Sequence, residues 1–108
     1  MNNTTYTKTE KLEIATNILN WMGTNQGKLS MMIAAKNFAL TDAGMSFKFK
    51  SSNGINYIKI ELNGKDFYDV TYGSVRGTSF KIKSESKDLY GDMLKNDIEQ
   101  TIRQYISL

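Results

Sequence analysis

The sequence predicts an α+β domain, an antiparallel β-meander of four to five strands packed on one face by an N-terminal and a C-terminal amphipathic helix. Three observations predict it. Apolar residues recur at helical spacing near both ends of the chain. Between them lie alternating runs separated by turns that contain Gly and Asn. The length of 108 residues, 40% of them hydrophobic, suits one core and is too short for two. Residues 1–108 therefore read as a single domain, with residues 1–8 as a disordered lead.

The first helix is predicted from Thr7 to Met22. Leu12, Ala15, Leu19 and Met22 fall on one face, which Ile14, Ile18 and Trp21 widen. Thr7 and Glu10 have the spacing of a capping box, and Gly23 stands where a left-handed residue would end the helix. The segment Gly27–Ala35 holds an unbroken apolar run, Met31 to Ala35, and reads as a strand. Lys36 to Gly44 reads as a turn-rich connection.

Ser46–Lys50 and Tyr57–Leu62 alternate on either side of a loop containing Asn53-Gly54, a hairpin signal. Asn63–Asp66 forms a second turn before Phe67–Tyr72, and Gly73–Gly77 a third before Phe80–Lys83. Ser84–Asp88 reads as the capping region of a last helix, on which Leu94, Ile98, Ile102, Tyr105 and Ile106 trace one face, with Tyr90 and Met93 near its start.

Composition narrows the chemistry. Histidine and cysteine are absent, so Ser-His-Asp and Cys-His catalysis, imidazole or thiolate metal sites and disulfides are outside the chain's repertoire. Six Asp, five Glu, and the Lys and Tyr residues remain for acid–base work. Proline is absent too, and Lys outnumbers Arg twelve to two, a bias we read first as low genomic G+C. The polar opening Met1–Thr7 is no signal peptide, and no apolar run is long enough for a membrane span. The expectation is a soluble cytoplasmic protein that needs no cofactor and has no catalytic motif.

If Phe47, Phe49, Ile58, Ile60, Leu62, Tyr68, Val70, Tyr72, Phe80 and Ile82 point inward, strand alternation fixes the other face. That face would carry Lys48, Lys50, Tyr57, Lys59, Glu61, Phe67, Asp69, Thr71, Lys81 and Lys83. Five lysines against two carboxylates leave three positive charges, equal to the net charge of +3 for the whole chain. A basic face interleaved with Tyr57 and Phe67 suits a phosphate backbone with bases stacked on the rings. The plain alternative is the solvated side of a one-faced sheet, kept soluble by lysine.

Other constellations are weaker. Asp66/Asp69 and Asp88/Asp92 could form carboxylate pairs for Mg²⁺ or acid–base chemistry, but each has a simpler role in a turn or at a helix start. Gly73–Thr78, holding Arg76 between two glycines, lacks the helix and the Lys-Ser/Thr ending of a phosphate loop and reads as a turn that exposes Arg76. Met22, Met31, Met32, Met45 and Met93 read as core filler.

Ser46–Lys50, Asn56–Asn63, Phe67–Val70, Tyr72-Gly73, Arg76-Gly77 and Tyr90–Leu94 together resemble a group of small uncharacterised accessory proteins of bacteriophages and other bacterial mobile elements. The likeness covers residues 29–108, leaves out the first helix and loosens over Thr101–Leu108. It implies an accessory protein working inside a bacterial cell, and it implies no activity.

The functional expectation is a non-enzymatic binding module. It would contact a host or defence protein, or a ribonucleoprotein, through Lys48, Lys50, Tyr57, Lys59, Phe67, Arg76, Lys81 and Lys83. Two alternatives stand beside it: non-specific nucleic-acid binding by the same face, and a small carboxylate enzyme. A homodimer through an unguarded sheet edge is a further expectation, since no proline protects the edges.

Overall fold

The computed structural model describes residues 6–106. The element order is α1 (Lys8–Met22), α2 (Gln26–Ile33), β1 (Lys36–Leu40), β2 (Gly44–Lys48), β3 (Tyr57–Leu62), β4 (Tyr68–Arg76), β5 (Ser79–Leu89), a 3₁₀ turn Gly91–Met93, and α3 (Leu94–Ile102). The five strands form one antiparallel sheet in sequence order, so the α+β meander with helices toward both ends is the observed architecture.

α1 starts and stops as its sequence dictates. The Thr7 backbone N–H donates to Glu10 Oε1 at 2.9 Å and the Glu10 N–H to Thr7 Oγ1 at 3.2 Å, while Gly23 takes φ 68° at the other end. The disordered lead lies outside the described residues for 1–5. From residue 6 it gives way to structure, with Tyr6 packed against the core, Thr7 capping and Lys8 opening the helix. The buried stripe is Ile14, Ala15, Ile18 and Met22, so Leu12 and Trp21, placed inward by spacing, are about half exposed (49% and 50%).

Two segments differ from their sequence reading. Gly27–Ala35 is not a strand: Asn25 Oδ1 accepts the Lys28 N–H at 2.9 Å and starts α2, whose Leu29 and Ile33, four apart, are the buried pair. The apolar run obscured that period, because Met31 within it is 88% exposed. Lys36–Gly44 is not all connection, since β1 pairs with β2 there. Its alternation is broken by an irregularity between Lys36 and Ala39, where Asn37 has φ 57°.

β2, β3 and β4 pair without a slip, with Lys48 opposite Tyr57 and Tyr57 opposite Gly73. β4 runs through the predicted Gly73–Gly77 turn as far as Arg76, and the hairpin to β5 closes over Gly77 and Thr78. Ser84–Asp88, expected to cap the last helix, instead continues β5, and α3 begins without a side-chain cap after the 3₁₀ turn. Leu94, Ile98 and Ile102 are buried as the periodicity requires. The helix then ends at Ile102 and Arg103 turns left-handed at φ 58°, so Tyr105 is exposed and Ile106, though buried, lies beyond the helix.

The core lies between one sheet face and the helices. It joins Ile14, Ile18 and Met22 of α1, Leu29 and Ile33 of α2, Phe47, Ile58, Ile60, Val70 and Tyr72 of the sheet, and Leu94, Ile98 and Ile102 of α3. Each fully buried Ile or Leu contributes about 1.5–3 kcal/mol. Of the methionines expected there, Met22 and Met45 are buried, but Met31 and Met93 are exposed.

Candidate functional site

Phe80 and Ile82 are not core residues; each is 51% exposed. Gly73 pairs with Ile82 while the preceding residue, Tyr72, pairs with Ser84, which leaves Lys83 as an extra residue in β5. A bulge of this kind inverts which side chains share a face. Beyond it Ser84 and Ser86 lie opposite the inward Tyr72 and Val70, and before it Phe80 and Ile82 turn to the helix-free face. A second irregularity lies between Ser86 and Leu89, where Asp88 takes φ 56°.

The helix-free face is built in rows. Lys48, Tyr57, Gly73 and Ile82 form one, and Ser46, Lys59, Thr71 and Glu85 the next. Glu61 then pairs with Asp69. Phe80, opposite Val75, leans across Gly73 to meet Tyr57 edge-on, with ring centres 5.3 Å apart. A Cβ at Gly73 would lie 2.5 Å from the Phe80 ring, so the missing side chain is what lets the ring fold over the strand. The result is a trough of about 460 Å³ lined by Tyr57, Phe80, Ile82, Thr71 and the charged residues around them.

This face is not the basic surface read from alternation. From β2 to β5 it carries Lys48, Lys59 and Lys87 against Glu61, Asp69 and Glu85, a balanced set, and only Lys36 opposite Lys48 adds an excess. Lys59 lies 3.7 Å from Glu61, and Lys87 lies 4.0 Å from Glu85. The Asp69 carboxylate accepts from Asn63 Nδ2 at 3.1 Å and from the Asp88 N–H at 3.0 Å.

The remaining expected site residues are dispersed. Lys81 and Lys83 are separated from Lys48 and Lys59 by the bulge. They gather instead with Arg76, Gly54, Ser74 and Ser79 around a hollow of about 270 Å³ at the hairpin end, touching the trough only through Phe80. Among the described residues no carboxylate pairs with Arg76, Lys81 or Lys83. Lys50 lies past the end of β2, its N–H donating to the Ile33 carbonyl at 3.0 Å and its carbonyl accepting from Gln104 at 2.7 Å. Phe67 precedes β4 and packs edge-on against Tyr90, ring centres 4.9 Å apart.

The carboxylate pairs are rearranged as well. Asn63 Nδ2 bridges Asp69 and Asp88, at 3.1 and 2.8 Å, and Asp66 shares a separate cleft with Asp92. Among the described residues, no three Asp or Glu cluster as metal ligands.

One polar cluster escaped the sequence reading. Asp97 on α3 accepts from the Tyr72 hydroxyl at 2.6 Å and from Ser86 Oγ at 3.0 Å, tying the helix to the sheet interior. Burial, then the Asp97 carboxylate, pushes the Tyr72 phenol far above its ordinary range. Burial also raises the Tyr68 phenol, and the Trp21 indole opposes that rise. The one signal available in sequence was Asp97 three positions after the buried Leu94, at the edge of the apolar stripe.

No protein-family model, curated protein or solved structure matches the chain.

Proposed function

We propose that the protein is a non-enzymatic accessory binding module whose contact surface is the trough on the helix-free sheet face, and that its partner is another protein. The observation that carries this is the pair Phe80 and Ile82, half exposed beside Tyr57 in a concave sheet surface whose rim carries charges of both signs, Lys59 and Lys87 with Glu61, Asp69 and Glu85. Apolar and aromatic side chains at the centre of a patch, ringed by charges of both signs, are the composition of a protein interface. Strong nucleic-acid binding there would work against Glu61, Asp69 and Glu85. The likeness of β2–β4 and Tyr90–Leu94 to accessory proteins of phages and mobile elements supports a host or defence protein as the partner class.

A second reading rests on a different observation. Arg76, Lys81 and Lys83 line one hollow to which, among the described residues, no carboxylate contributes, a place where a phosphate backbone would be held without sequence preference.

Affinity capture from a bacterial lysate, with and without nuclease, separates the two. Protein partners that survive nuclease, are lost with Phe80→Ala/Ile82→Ser and are kept with Arg76→Glu/Lys81→Glu/Lys83→Glu support the trough. Nucleic acid lost on nuclease treatment and on charge reversal supports the hollow. Capture that neither set of substitutions changes overturns both.

A further inference from the structure

Where α1 ends beside the junction of β5 and the 3₁₀ turn, Trp21, Tyr68 and Tyr90 line a cleft of about 410 Å³ together with Gly91, Asp66 and Asp92. The arrangement is built rather than incidental. A Cβ on Gly91 would stand 2.3 Å from the Trp21 indole, so the glycine backbone rests on the ring and sets it as a wall. Tyr90 is braced edge-on by Phe67 at 4.9 Å. Tyr68, only 8% exposed, is the deep member, while Trp21 and Tyr90 stay open to solvent at 50% and 61%. Asp66 is held in the turn at φ 64°, a left-handed conformation that Asp tolerates better than most residues, and its N–H donates to the Asn63 carbonyl at 3.1 Å.

The cleft thus joins three aromatic rings to two carboxylates and includes no cationic side chain, in a chain whose net charge is +3. Among the described residues, neither Asp66 nor Asp92 accepts a side-chain hydrogen bond or joins an ion pair. Each class of ligand can be weighed against that lining. An anion would be repelled. A divalent metal needs about six oxygen ligands, which rings do not supply. A neutral apolar ligand would gain nothing from the acids. A weakly hydrated organic cation uses both parts, its alkyl groups against the rings and its charge shared between ring quadrupole and carboxylate.

We infer that this cleft is a binding site for an alkylated ammonium group, with Trp21, Tyr68 and Tyr90 contacting the alkyl groups and Asp66 and Asp92 supplying the countercharge. The site is separate from the trough and from the Arg76 hollow.

Trp21 is the only tryptophan, so its emission reports directly on the cleft. The full chain is titrated with tetramethylammonium chloride, with sodium chloride at equal ionic strength and with tert-butanol as a neutral counterpart. A saturable change with tetramethylammonium alone is expected. Asp66→Asn/Asp92→Asn should raise the dissociation constant about tenfold. Asn also accepts the left-handed turn, so this variant keeps the fold. Tyr90→Ala should weaken binding while leaving the reporter in place.

Equal responses to sodium or to the neutral alcohol, or an unchanged constant in the double Asn variant, overturn the assignment. A peptide carrying one trimethyllysine, compared with its unmethylated form, identifies the source. Methyl-dependent binding tighter than tetramethylammonium assigns a modified protein, and binding no tighter assigns a free small cation.

Discussion

β3 and β5 flank the same strand, yet one obeys the alternation written in its sequence and the other does not. In β3, Ile58 and Ile60 are fully buried and Tyr57, Lys59 and Glu61 face outward, with no slip against either neighbour. In β5, the bulge at Lys83 turns Phe80 and Ile82 away from the core, and two serines take the inward positions beyond it. The difference teaches that alternation tells which residues share a face only as far as the register holds. β3 is an interior strand held from both sides, whereas β5 pairs with β4 alone and can take an extra residue. The bulges and lysines of β5 also blunt that edge against strand-to-strand pairing.

The comparison can be broken most directly by deleting Lys83. Without the extra residue, Phe80 and Ile82 should return to the inward phase and the Tyr57–Phe80 contact should vanish from NOE spectra. If that contact persisted, the bulge would not be what sets the face.

A large energetic contrast is expected between two isoleucines. Ile60→Ala should cost about 2–5 kcal/mol, as a large-to-small core substitution does. Ile82→Ala, at the half-exposed position, should cost about 1 kcal/mol or less. Urea denaturation of the two variants measures the gap.

Of the two serines beyond the bulge in β5, Ser86 matters through Asp97. Tyr72→Phe should cost about 1.5–3 kcal/mol, since it removes a hydrogen bond to a charged group. Its pH signature has a fixed sign. The folded state keeps the Tyr72 proton where the unfolded phenol, with an ordinary value of 10.0, releases it. That contribution is fully present below this value and is lost as the pH rises above it. Denaturation midpoints at pH 8 and pH 11 should therefore fall less in Tyr72→Phe than in the wild type.

Gly73→Ala should cost about 1–3 kcal/mol by pressing a methyl group into the Phe80 ring. In the Phe80→Ala background the same change should cost less, because only the 3.2 Å approach to the Lys81 carbonyl remains, and a double-mutant cycle reads the coupling. The smallest effect belongs to the Lys59–Glu61 pair on the outer face. Lys59→Ala should change stability by no more than about 1 kcal/mol, and the effect should shrink further at high salt.

Much of the fold was legible in the residues. The capping box of Thr7 and Glu10, the Gly23 stop, the unbroken alternation of Tyr57–Leu62 and the Leu94, Ile98, Ile102 stripe each follow from local physics and appear as read. α2 and β1 were hidden for local reasons: a short helix whose apolar run masks its Leu29/Ile33 spacing, and a short edge strand interrupted at Asn37. The candidate sites were less legible. Lys48, Tyr57 and Lys59 lie on the face their alternation gives them, but Arg76, Lys81 and Lys83 belong to another surface and Phe67 to a third. Ile82, Phe80, Trp21, Tyr90 and Asp97 were missed as surface or network residues.

By itself the sequence determined the class of fold, the hairpins that join β2 to β5 and the chemistry it lacks, because helix period, turn residues and composition act over a few neighbouring residues or none. The tertiary structure alone decided where the charge and the exposed aromatic rings collect. One extra residue in β5 reset the faces of that strand, and the missing side chain at Gly73 let the Phe80 ring fold over β4. The cleft of Trp21, Tyr68 and Tyr90 unites residues from the end of α1, from β4 and from the junction after β5, which no spacing in the chain records.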